Sequence, residues 1–139
     1  MPVQTRVLPR LNLALFVYSG RVTLAESLDA VASVARHPGH HDTMRQLCDL
    51  SAVTGVERNF PDLMKTQARM ADDLMPRHGE RFVVFYAPHG PAQTLAEMAR
   101  KSWDGIDAVL VRVVEREEQA LALLGLRQSS MASLLALGT

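Results

Sequence analysis

Three stretches of this chain, residues 46–53, 81–87 and 108–114, are apolar at nearly every position, and each is followed by residues whose apolar spacing is helical rather than alternating. A strand with one wet face alternates apolar and polar residues. A strand covered by helices on both faces does not. The pattern therefore predicts an α/β fold, with a mixed, mostly parallel sheet of about five strands and helices packed against it.

The length of 139 residues suits one domain, since a chain of this size buries roughly two-thirds of the surface its unfolded form exposes. Cys48 is the only cysteine, so no internal disulfide can form, and its place inside an apolar run reads as a small buried hydrophobe. Lys plus Arg balance Asp plus Glu at 15 each. With no basic run interleaved with aromatics, neither a nucleic-acid footprint nor an anionic-membrane patch is indicated. The first ten residues hold two prolines and two arginines and no long apolar core, unlike an export signal. No apolar run approaches the roughly 20 residues of a membrane span. The expectation is a soluble cytoplasmic protein with no membrane span.

Along the chain, Val3 to Leu8 reads as an edge strand that Pro9 and Arg10 turn back into a second strand, Leu11 to Tyr18. Ser19, Gly20 and Arg21 break that pattern. Thr23 and Glu26 form a Thr-x-x-Glu capping box opening a helix to about Arg36, with Leu24, Leu28, Val31, Ala32 and Ala35 as its apolar stripe and Pro38-Gly39 as its end. Pro61 heads a helix to about Met75, and Pro91 heads another with Leu95, Met98, Ala99 and Trp103 facing inward until Asp104 and Gly105. Met64, Met70, Met75 and Met98 fit plain core better than a plastic pocket. The strand Phe82 to Tyr86, the most aromatic, is expected at the sheet centre, and a last strand and a helix at 117–124 give the order ββαβαβαβα. Residues 1–126 then form the domain. Residues 127–139 form a tail, either a frayed end or a short helix that packs Met131, Leu134, Leu135 and Leu137 on the domain or on a second subunit.

This order, with the opening hairpin, Gly20 before a capped helix, and Leu47-Cys48-Asp49-Leu50-Ser51-Ala52-Val53 leading into a loop and helix, resembles the SpoIIAA-like (STAS-like) superfamily over about residues 3–126. The resemblance implies a mixed sheet with packed helices and a role as an interaction or regulatory module, as in anti-sigma antagonism; some relatives of similar fold bind lipids or other apolar molecules. The antagonists carry a phosphorylated serine in an Asp-Ser-Ser-Gly loop. Here that loop reads Thr54-Gly55-Val56-Glu57-Arg58-Asn59, so the acceptor serine is missing and Ser51 and Thr54 are the nearest hydroxyls.

In open α/β sheets, ligands sit outside the carboxyl ends of the strands. That edge gathers Tyr18, Ser19 and Arg21, then Ser51, Thr54 and Gly55, then Pro88, His89 and Gly90, and helices starting near Thr23, Pro61 and Pro91 aim unpaired N–H groups at it. Such an edge favours a carboxylate or phosphate, with Arg21 or Arg58 assisting. The candidates for ligand or partner binding are thus Tyr18, Arg21, Ser51, Thr54, Gly55, Arg58, His89 and Gly90. No Gly-rich phosphate loop is present. Ser51, His89 and Asp49 could be assembled into a triad, but neither neighbourhood is a Gly-x-Ser-x-Gly elbow, and no catalytic residue is assigned. His37, His40, His41 and Asp42 are the densest group of metal-ligand types, yet they lie at the opposite edge, where a solvated turn accounts for them. No metal and no cofactor are expected. The resemblance and the lack of a convergent catalytic set lead to a non-enzymatic interaction or regulatory module with a protein partner. The alternative is a binder of a small apolar or anionic, lipid-like ligand between helices and the sheet edge. The unprotected opening strand and the apolar tail also suggest a homodimer.

Overall fold

The computed structural model describes residues 3–41, 44–57, 81–102, 109–128 and 130–137. Five strands form one sheet: β1 (Val3–Leu8), β2 (Leu13–Val22), β3 (Arg45–Val56), β4 (Arg81–Tyr86) and β5 (Val109–Val114), in spatial order β1-β2-β3-β4-β5. β1 runs antiparallel to β2, and the remaining pairs are parallel. Among the described residues the helices are α1 (Leu24–Ala35), α2 (Gly90–Ser102), α3 (Glu117–Leu123) and α4 (Met131–Leu135), with a 3-10 turn at Pro9–Leu11. The sequence-predicted helix over 61–75, Trp103 and the stop at Asp104-Gly105 lie outside the described residues.

The three inner strands, β2, β3 and β4, divide their side chains between two cores, which explains their unbroken apolar runs. Ala14, Phe16, Cys48, Leu50, Val83 and Phe85 point to one face, where they meet Ala30 and Val34 of α1 and Ala92, Leu95, Ala96 and Ala99 of α2. Leu13, Leu15, Leu47 and Val84 point to the other, under Ala120, Leu121 and Leu124 at α3 and Met131 and Leu134 of α4. Period-two alternation persists, but both phases are dry. Parallel strands added in sequence order by right-handed crossovers bring α1 and α2 to the same face, and the carboxyl-terminal helices close the second. The tail thus packs on the domain, with Leu134 completely buried.

Four expectations need correction. The sheet centre is β3, not β4, because strands join in chain order and aromatic content does not decide position. β5 is an edge strand whose Leu110 is 40 % exposed, so its apolar run is covered less than the others. β2 does not stop at Ser19-Gly20-Arg21; it continues through Val22 by slipping register against β3, with Gly20 at φ +68°, a left-handed conformation that suits a residue without Cβ. The capping box does form, with Thr23 Oγ1 accepting the Glu26 N–H at 3.3 Å and bonding Glu26 Oε1 at 2.7 Å. The buried face of α1, however, is Ser27, Ala30 and Val34, while Leu28 and Val31 are 42 % and 39 % exposed. The small residues allow close approach to the sheet, a preference the apolar stripe alone does not register.

Candidate functional site

The carboxyl edge of the sheet is shaped by where β3 loses its neighbours. β4 pairs with β3 from Gln46 to Asp49, and beyond that point, among the described residues, β3 runs on against β2 alone. Val17 faces Asp49 and Ser19 faces Ala52, so Leu50 and Ser51 together oppose Tyr18 in a bulge. A bulge leaves backbone groups outside the ladder, and buried ones need other partners.

Two side chains supply them. The Ser51 N–H donates to Asp49 Oδ1 at 2.9 Å, and the Ser51 carbonyl lies 2.8 Å from His89 Nε2. A carbonyl only accepts, so Nε2 carries the proton. Asp49 is only 7 % exposed; a buried carboxylate needs such a donor. His89 is placed by the start of α2, where its own carbonyl accepts the Gln93 N–H at 2.8 Å. Its imidazole takes over on β3 after β4 has ended at Tyr86.

The candidates of the sequence therefore separate. Ser51 and His89 meet, with Asp49 beside them, but through the Ser51 backbone rather than its hydroxyl. Arg21 and Thr54 are exposed on the β2–β3 ribbon; Arg21 pairs with Gly55, and Thr54 is the extra residue of a second bulge between Gly20–Val53 and Arg21–Gly55. Gly90, exposed, begins α2 and lines an open depression of about 500 Å³ along one stripe of that helix with Gln93, Thr94, Glu97, Met98 and Lys101. Tyr18 does not belong to the edge. It is buried in the α1-side core with a side-chain hydrogen bond to Ser27, and burial raises its phenol above the ordinary range. Arg58 lies outside the described residues.

At the opposite edge, His37 Nδ1 accepts the Gly39 N–H at 2.9 Å and the His37 carbonyl accepts the His40 N–H at 3.0 Å, so this histidine shapes its own turn. Gly39 is required there because a Cβ would come within 2.6 Å of Pro9 Cγ. Asp42 is outside the described residues, and among those described no three His, Cys, Asp or Glu side chains stand together as a metal site. The Cys48 thiol is pushed up to about 12 by burial, reinforced by the Asp49 charge, and so stays protonated.

The residue overlooked in the sequence is Arg45. Its guanidinium donates to the carbonyls of Leu11 at 2.5 Å, Asn12 at 3.3 Å and Leu124. The only local signal is a cation heading an apolar run; its partners are 34, 33 and 79 residues away.

Compared with known proteins, the chain matches no family model and no curated protein. Among the described residues no helix is long and apolar enough to cross a membrane.

Proposed function

We propose that this chain is a non-enzymatic protein-interaction or regulatory module, as its resemblance to STAS-like domains implies, and that it meets its partner with the carboxyl end of the β2–β3 ribbon. The observation that carries this reading is the engagement of Asp49 and His89 with the Ser51 backbone. The acid and the imidazole hold the bulge, and the side chains displayed outward are the cation of Arg21 and the hydroxyl of Thr54. A rigid sheet presenting a few exposed polar groups on a twisted edge suits recognition of an acidic protein surface.

A photo-crosslinking residue placed at Thr54 in cells is expected to give one defined protein adduct that is lost on Arg21→Glu and kept on Arg100→Glu. No adduct, or an adduct indifferent to Arg21→Glu, contradicts the proposal, as does a catalytic rate that His89→Ala abolishes without unfolding the chain. The small-ligand alternative predicts a stoichiometric extra mass in native mass spectrometry of protein purified from cells, released on denaturation.

A further inference from the structure

The strongest unassigned feature lies at the amino edge of the sheet, opposite the ribbon. A concavity of about 260 Å³ is lined there by Arg10, Leu11, Arg45, Gly125, Leu126, Arg127 and Gln128. Three of those residues are cations and none is an acid, in a chain whose total charge is zero. Among the described residues neither Arg10 nor Arg127 has an ion-pair partner, and both are exposed.

Arg45 differs from them in being fixed. Helix α3 ends in a left-handed Gly125 (φ +64°), with the Leu126 N–H returning to the Leu121 carbonyl and the Gly125 N–H to that of Ala122. This Schellman closure satisfies the inner carbonyls and leaves that of Leu124, which Arg45 takes together with those of Leu11 and Asn12. A guanidinium has five N–H groups. Three bond neutral carbonyls, so two remain, and the positive charge has met dipoles rather than a carboxylate. The backbone N–H groups of Gly125 and Leu126 are already used, which leaves the arginine forks and the Gln128 amide as the polar groups of the wall.

From this cluster we infer a binding site for a small phosphoryl dianion, held by the immobile fork of Arg45 and closed over by Arg10 and Arg127. Arginine forks match phosphate oxygens in bidentate geometry. The volume lies below the roughly 300 Å³ at which pockets for drug-sized ligands begin, which suits inorganic phosphate or the head of a compact phosphate monoester with its apolar part on Leu11 and Leu126. The site is independent of the ribbon and of the partner proposed for it.

The test is titration of the full chain with inorganic phosphate, followed by the amide resonances of Gly125 to Gln128, with sodium chloride at matched ionic strength as control. Saturable shifts at those amides are expected, absent with chloride. Arg10→Ala and Arg127→Ala, both exposed and harmless to folding, should each weaken binding by about threefold to tenfold, and Lys101→Ala should leave it unchanged. Tighter binding of phenyl phosphate would identify the ester as the ligand form, and equal or weaker binding the free ion. No saturable shift, or shifts that persist unaltered in the Arg10→Ala/Arg127→Ala double variant, would overturn the inference.

Discussion

At its amino end β3 opens with Arg45, whose guanidinium grips the carbonyls of Leu11, Asn12 and Leu124; towards its carboxyl end the same strand bulges at Ser51, and Asp49 and His89 complete the backbone there. Both ends solve the same problem, polar backbone groups that the sheet cannot pair. They solve it with different charge. At the bulge a carboxylate takes an N–H and an imidazole serves a carbonyl, and both are engaged in holding the chain. At the amino end a permanent cation bonds only neutral acceptors, so its charge stays available to an anion. The lesson is that the bulge at the edge where ligands are expected from strand direction is internally satisfied, while the opposite edge fixes a cation against carbonyls alone.

The largest break in this comparison should come from Arg45→Met, which keeps the bulk but leaves the Leu11 and Leu124 carbonyls without their donor, while that of Asn12 keeps the backbone N–H of residue 45. A loss of about 3 to 5 kcal/mol is expected in urea unfolding, and Arg45→Lys should recover less than half of it because an ammonium cannot span the three acceptors. Leu134→Ala tests whether the tail is as integral as the strands it covers; with Leu134 fully buried in the second core, about 3 kcal/mol should be lost.

Between the two ends sits Cys48, whose thiol is held at about 12 against an ordinary value of 9.0. The folded pKa is the higher one, so the stabilising contribution is complete below pH 9 and declines as pH rises towards 12. Unfolding free energy should fall by about 1 kcal/mol more between pH 8 and 10 in the natural chain than in Cys48→Ala. His89→Ala removes one neutral hydrogen bond at the bulge and should cost about 1 kcal/mol, several times less than the break at Arg45. The smallest effect belongs to α1, where the exposed Leu28 should tolerate Leu28→Ser within about 0.5 kcal/mol.

Much of the fold was legible in the sequence because its signals are local. The dry runs around Leu47 and Val84, the Thr23–Glu26 cap and the opening hairpin each declare themselves within a few residues; strand order does not, and the aromatic strand at 82–86 lies beside the centre that β3 holds. What escaped depends on distant partners. The face of α1 was misjudged because Leu28 and Val31 dominate an apolar stripe, whereas close packing on the sheet selects Ser27, Ala30 and Val34. At the carboxyl edge, strand direction brings Ser51 and His89 to one place, where the imidazole meets the Ser51 carbonyl, but Tyr18, near them in the sequence pattern, is turned into the core by the pleat. Arg45 was invisible because nothing near it in sequence hints at Leu124.

The engagement of the bulge is tested most directly by the ring nitrogens of His89 in a ¹⁵N NMR spectrum of the natural chain in which the imidazole is neutral. The account predicts one tautomer, with the proton on Nε2, slow to exchange with water because the Ser51 carbonyl accepts it. A ring that averages both tautomers, or carries its proton on Nδ1, would contradict it.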